Sequence, residues 1–284
     1  MYFPQVAIIG VGLLGGSVGL ALQRAGLARR VIGFGRREGS LAQALERKCI
    51  TDYTTHLDEA VHDAGLVIVA TPVEQTADFV AAAAKGCGPG TLITDVGSTK
   101  DSICRSADAA LAGGAGTWAS FVGSHPLAGS EKTGPIFAKA NLFDDRMVVV
   151  TPTENSRPDA VEQIDTFWQK LGAKTCRMHP AEHDAAVAIT SHLPHLVASL
   201  VAAITPEELL KLTAGGWQDT TRVASGDVEL WRQILLDNRP HVLLAVEKFA
   251  TVLASFREAL EQADGAAIAQ LLEAGKRTRD ALGS

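Results

Sequence analysis

Cysteine is scarce and scattered: Cys49, Cys87, Cys104 and Cys176 form no CxxC pair and show no zinc-ligand spacing. That excludes a disulfide scaffold and a structural zinc site, and free thiols point to a cytoplasmic location. Basic clusters are equally sparse. Lys and Arg never run beyond pairs such as Arg29-Arg30 and Arg36-Arg37, and the formal net charge is −6, so nucleic acid is not an expected partner. No apolar run is long. The longest, residues 193–204, carries His195 and Ser199 and falls short of a bilayer span, so no membrane is expected either. The opening Met1-Tyr2-Phe3-Pro4-Gln5 lacks the basic start and apolar stretch of a signal peptide. What is present is a chain of 284 residues, 46% hydrophobic and 20% charged, long enough for two ordinary domains. Against its negative field, an anionic substrate needs a few well-placed cations.

Short apolar runs at 6–9, 31–34, 66–70, 91–94, 121–123, 147–150 and 174–177 read as strands. Helical patterns at 14–25, 40–47, 74–84, 100–111 and 158–171 separate them, while 51–64, rich in His and Asp, reads as a solvated loop and short helix. Alternation with continuous apolar strands predicts an α/β, doubly wound parallel sheet covered on both faces over residues 1–178. Residues 179–284 read as all-α. Pro194 should interrupt the helical tract 180–204, and further helices are expected at 228–236 and 240–262, with about 20 residues beyond. In the last helix Val242, Val246, Phe249, Leu253, Phe256 and Leu260 recur at 4-3-4-3-4 spacing, a seam for a partner helix. Packing within the subunit and a homodimer interface are equally compatible with that seam.

Gly10-Val11-Gly12-Leu13-Leu14-Gly15 is a GxGxxG that directly follows the first strand and opens a helix, the context of a dinucleotide-binding turn. Gly10 permits the turn, Gly12 the approach of a pyrophosphate, and Gly15 close helix–strand packing, with Leu13 and Leu14 lending backbone N–H groups. About 20 residues on, where an NAD site usually carries Asp or Glu, stands Gly35, followed by Arg36 and Arg37. The cofactor is therefore NAD(P), with NADP favoured. Thr71-Pro72 and the Asp95-Val96-Gly97-Ser98 turn follow later strands and should line the same crevice.

A dehydrogenase needs a group to take the alcohol proton. His125, in the small-residue loop 123–131 (GSHPLAGSE), has the residue type and setting for it, with an ordinary histidine pKa near 6.5. His192 and His195 stand three apart beside Pro194, but no third ligand is evident and no metal is expected; Lys100 and Lys132 read as surface charges.

Together the glycine turn, DVGSTK at 95–100, GSHPLAGSE at 123–131, SHLPH at 191–195, Asp219 with Arg222, and Trp231-Arg232 make the chain resemble the prephenate/arogenate dehydrogenases of tyrosine biosynthesis, from about residue 5 to about 260. The resemblance implies a small-molecule substrate, prephenate or arogenate, oxidised at a ring alcohol with loss of carbon dioxide. It implies that His125 accepts the C4 hydroxyl proton, that Ser98 orients that hydroxyl, and that His195 edges the substrate pocket. It further implies that Arg222 pairs with a substrate carboxylate and that Glu131 stands near the pocket mouth. Hydroxyacid or imine dehydrogenases of similar domain order carry a Lys-x-x-x-Asn pattern that Lys211 and Lys248 lack. A non-catalytic dinucleotide sensor would not need the His125, Ser98 and Arg222 set. No regulatory or mutase domain is expected, so any feedback would act at the active site or a subunit interface.

Overall fold

The computed structural model describes residues 1–112, 119–130 and 132–283, which form two compact units, Met1–Asn238 and Arg239–Ser284. In the first, β1 (Phe3–Ile9), β2 (Ala28–Phe34), β3 (Asp52–Thr54), β4 (Leu66–Val69), β5 (Leu92–Asp95) and β6 (Ser120–Phe121) form a parallel sheet in the order β3-β2-β1-β4-β5-β6. The helices between them are α1 (Leu13–Arg24), α2 (Glu38–Glu46), α3 (Leu57–Val61), α4 (Val73–Gly86) and α5 (Asp101–Ala112). Val6, Ile8, Leu66 and Ile68 are buried on one face of the sheet; Ala7, Ile9, Val67 and Val69 are buried on the other. Alternate side chains of a strand point to opposite faces, so continuous apolar strands require this doubly covered sheet. The order reverses between β1 and β4, which opens the crevice of a dinucleotide-binding fold at the carboxyl edge.

Residues 51–64 contain the short helix expected of them, but not the solvated loop. They supply β3, and α3 buries Ala60 and Val61 against the sheet, so their polar side chains hide a short amphipathic element. The run 121–123 also behaves differently from a single strand. It divides between β6 and β7 (Gly123–Pro126), and β7 joins β8 (Met147–Thr151) and β9 (Lys174–Arg177) in a separate three-stranded sheet. Val122 N–H still donates to Ile93, but Ser124 N–H donates to the Asp95 carboxylate instead of a backbone carbonyl, and there the chain leaves the first sheet. β7 runs antiparallel to β8 as an edge strand, where Pro126 needs no ladder donor. The helix α6 (Pro158–Lys170) packs its Phe167 and Trp168 into this core.

The helical run that follows comprises α7 (Pro180–Val187), a π-helical turn at Ala188–His192, and α8 (Leu193–Ala203). The wide turn sits just before Pro194, whose missing N–H and crowded carbonyl are accommodated there. Counted from Pro180 the run has 24 residues, and its most apolar 18-residue stretch has a mean hydropathy of 1.5, so by length and composition it could span a bilayer, contrary to the shorter tract read from sequence. It carries buried His183, Asp184, His192 and His195, the marks of a helix built into a polar site. A short helix, α9 (Gly215–Thr221), a 3-10 turn at Arg222–Ser225 and α10 (Val228–Asp237) complete the unit.

The second unit is a pair of packed helices, α11 (Arg239–Glu261) and α12 (Gly265–Asp280). α12 was not anticipated from sequence. Asp264 caps it, accepting from Ala266 N at 3.0 Å and Ala267 N at 2.9 Å.

Candidate active site

The glycine turn has the shape its spacing implies. Gly10 has φ +91°, and a Cβ there would lie 2.5 Å from the Ala70 carbonyl oxygen; a Cβ on Gly15 would lie 2.2 Å from the Gly10 oxygen. Gly12 differs, since a Cβ there would meet nothing within 4 Å. Open space thus fronts the start of α1, which has neither a capping side chain nor an acidic residue in its first turn. The backbone donors of Leu13 and Leu14 are presented to it, and this cradle fits a pyrophosphate. Beyond β2, Gly35 brings no carboxylate. Arg36 and Arg37 are exposed and make no ion pair among the described residues. Thr71 and Pro72 lead into α4 beside Gly10, with Thr71 Oγ1 3.3 Å from Thr76 Oγ1. These parts would hold a dinucleotide whose nicotinamide serves as hydride acceptor.

Facing this edge, β7 carries His125, whose neighbours are saturated with hydrogen bonds. Ser124 Oγ donates to the Asp95 carbonyl at 2.6 Å and accepts from Trp168 Nε1 at 3.0 Å, while Ser124 N–H reaches Asp95 Oδ1 at 3.1 Å. The other Asp95 oxygen is paired with Lys100 Nζ, and both side chains are wholly buried. Lys100 is therefore no surface charge: it neutralises a carboxylate that anchors β7. Lys132 does remain exposed, its ammonium 5.1 Å above the Phe137 ring. Between Asp95 and Lys100, Ser98 lies half-buried on the turn.

His125 Nδ1 lies 2.8 Å from His183 Nε2, and His183 Nδ1 lies 2.7 Å from Asp184 Oδ1. Asp184 also accepts from Lys100 N at 2.8 Å and Asp101 N at 2.9 Å, so it closes the start of α5 as well. Burial pushes the Asp184 carboxyl up, but the hydrogen bonds from His183 and the two backbone amides outweigh it and hold the pKa below the ordinary value. Burial drives the His125 pKa well below 6.5, and the nearby His183, Lys100 and His192 push the same way. His125 is thus a neutral imidazole, more strongly biased to that form than its residue type alone implies. His192 is lowered to about 4, mainly by burial. Asn238 joins these groups, with Nδ2 2.8 Å from the Asp184 carbonyl and 3.1 Å from His192 Nδ1.

The second lobe of the site is built on α8 and α10. The rings of His195 and Trp231 stack with centroids 3.5 Å apart at 12°, and His192 meets the same Trp231 edge-on at 6.1 Å. Burial lowers the His195 pKa. The 3-10 turn bearing exposed Arg222 ends at Gly226, where a Cβ would lie 2.7 Å from Trp231 Nε1 and 3.3 Å from His195 Cε1. Only a residue without a side chain lets that turn close onto the histidine. His125 and His195 therefore belong to one connected set through His183, Asp184, Asn238, His192 and Trp231. Glu131 lies outside the described residues. His183, Asp184 and Asn238 were missed from sequence; the adjacent His183-Asp184 pair ahead of SHLPH was the available signal.

Comparison with known proteins agrees with this arrangement. Residues 18–177 match the prephenate dehydrogenase nucleotide-binding domain family, and residues 179–274 match the prephenate dehydrogenase dimerization domain family. The chain is 35% identical to a prephenate dehydrogenase of Bacillus subtilis, over 98% of this chain and 76% of that protein. It is 31% identical to a cyclohexadienyl dehydrogenase of Zymomonas mobilis, over 99% and 96% respectively. Among solved structures, prephenate dehydrogenase from A. aeolicus in complex with hydroxyphenyl propionate and NAD+ superposes with a TM-score of 0.89 at 27% identity, covering 99% of this chain and 98% of that one. Synechocystis arogenate dehydrogenase superposes with a TM-score of 0.80 at 27% identity, covering 98% and 99%. With an open dinucleotide cradle and a buried histidine whose pKa is held well below 6.5, the chain belongs to the prephenate dehydrogenase family and is an NAD(P)-dependent oxidoreductase.

Proposed function

We propose that the chain converts prephenate to 4-hydroxyphenylpyruvate by NAD(P)-dependent oxidative decarboxylation in tyrosine biosynthesis, with arogenate to tyrosine as the alternative pair. The observation that carries this reading is His125: its Nδ1 is engaged by His183, and its Nε2 makes no hydrogen bond among the described residues. A nicotinamide held by the Gly10–Gly15 turn would supply the hydride acceptor for C4 of the ring. His125 Nε2 takes the proton from the C4 hydroxyl as the carbonyl develops, and Ser98 holds that hydroxyl in line. Loss of the ring carboxylate as carbon dioxide leaves an aromatic product, so one base suffices. Arg222 supplies a planar fork for a substrate carboxylate, and His195 forms the pocket edge.

NADP is the favoured carrier, because Gly35 brings no carboxylate that would repel a 2′-phosphate, and Arg36 and Arg37 are exposed cations beside it with no ion pair among the described residues. Residues 1–178 hold the dinucleotide; residues 179–284 complete the substrate site and form a homodimer in the cytoplasm. Reduced-nicotinamide absorbance on a grid of prephenate or arogenate with NAD or NADP tests the reaction and both specificities. Activity in one column identifies the carrier, and a flat grid from a protein that still binds dinucleotide overturns the reading. Replacing Arg36 and Arg37 by Ala should raise KM for NADP about tenfold or more while leaving NAD nearly unchanged, as loss of charge-assisted bonds predicts.

A further inference from the structure

We propose that His183 and Asp184 are positioning residues that hold His125 in one tautomer, with the proton on Nδ1 and Nε2 bare toward the substrate. The inference rests on the reading that His125 takes the hydroxyl proton, and it follows from counting donors along the chain of contacts. Asp184 accepts at both oxygens, from Lys100 N and His183 Nδ1 on Oδ1 and from Asp101 N on Oδ2. An ionised carboxylate has no proton to give, so the proton between it and His183 belongs to His183 Nδ1. With that single proton on Nδ1, His183 carries its lone pair on Nε2, which faces His125 Nδ1 at 2.8 Å and accepts there. His125 must therefore donate from Nδ1, which leaves Nε2 as the acceptor that general-base chemistry requires.

The rest of the surroundings fits a fixed ring. The two imidazoles meet edge to face, with centroids 5.1 Å apart at 72°. His183 is wholly buried, and Asp184 is anchored by the first amides of α5, so neither partner can swing away without unmaking a helix end. The charged and titratable groups around His125 are His183 and Asp184 on α7, Lys100 with its partner Asp95 beside β5, and His192 in the π-helical turn. A buried histidine in the wrong tautomer presents an N–H to the substrate hydroxyl and cannot accept its proton.

The test uses the full-length 15N-labelled protein and long-range 1H–15N correlation spectra of its imidazoles, with His125 assigned by the signals missing from His125→Asn. The expected spectrum has a protonated Nδ1 and a bare Nε2 on His125. In parallel, His183→Phe, which removes the acceptor, should lower kcat by about 10²-fold or more, with KM for substrate and cofactor near wild type. His183→Gln puts an amide oxygen where Nε2 stood and should recover most of that loss. A wild-type His125 protonated on Nε2 overturns the proposal, as does a His183→Phe enzyme with normal kcat. If His183→Phe fails to fold, the wild-type spectrum and the His183→Gln rate decide. Should His125→Asn keep its rate, the base assignment itself fails, while the tautomer remains separately readable.

Discussion

A base that must be neutral gains from burial and loses from any uncompensated anion close by. Burial comes first for His125, with His183, Lys100 and His192 acting in the same direction. The kcat/KM profile should therefore stay flat from pH 8 to about 6, below the ordinary histidine value. An acid limb centred at 6.5 or above would assign the proton to another group. Exchanging the base, His125→Asn, should lower kcat by about 10²–10⁴-fold with cofactor KM unchanged. Arg222→Ala should raise substrate KM roughly tenfold or more, the worth of a charge-assisted hydrogen bond, with little change for cofactor. Stability carries its own signature. His192 takes its proton near 6.5 when unfolded and about 4 when folded, so the unfolded chain binds it first as pH falls. The stabilisation is complete above 6.5 and is lost toward 4, about 3 kcal/mol in all from this one group. Urea titrations between pH 7 and 5 should show the slope, and His192→Asn should flatten it by about one proton. His125, Ser98 and Arg222 could be singled out as candidates because each stands in a compact motif. His183 could not, because its partner is 58 residues away. Lys100 misled because a lysine reads as solvated until its buried partner Asp95 is placed beside it.

At the scale of elements, the glycine turn separates what folds α1 from what leaves room for a ligand. A Cβ on Gly12 meets nothing, and its φ of −90° suits any residue. Gly12→Ala should fold with an unchanged Tm and yet raise cofactor KM about tenfold or more by filling the space a pyrophosphate approaches. Gly15→Ala should do the reverse. Its Cβ would press on the Gly10 oxygen at 2.2 Å, and the overpacking should cost about 1–3 kcal/mol, read as a lowered Tm. Equal effects from the two substitutions would mean the turn is structural throughout. The long apolar strands and their helices were plain in the sequence because hydrophobic periodicity encodes them. The departures arose where one side chain redirects the backbone: Asp95 draws Ser124 N–H out of the ladder, so 121–123 divides between sheets. Similarly, Pro194 selects a π-helical turn whose length no periodicity specifies, and Asp264 starts α12 in the stretch beyond 262, for which no element was expected.

On the scale of the whole molecule, the seam of α11 needs a partner. Val242 is buried, but Leu253 is 57% and Leu260 66% exposed, and Leu243, Leu244 and Val252 on the same helix are also exposed. A stripe this apolar seldom faces water in a soluble chain, and residues 179–274 match a dimerization-domain family. Periodicity alone left open whether the seam packs within its own subunit or against a second copy, and Leu253 and Leu260 leave apolar surface along it for such a partner. A dimer built on these positions buries them against a second copy of themselves, since a two-fold interface uses the same patch from both chains. Leu253→Asp would then bring two like charges together in a desolvated place, at a cost of several kcal/mol. Sedimentation should give twice the chain mass for the wild type and the single-chain mass for the variant at the same concentration. A variant that stays dimeric would move the interface off this seam, and a wild type at single-chain mass would mean that the exposed stripe answers to something other than dimerisation.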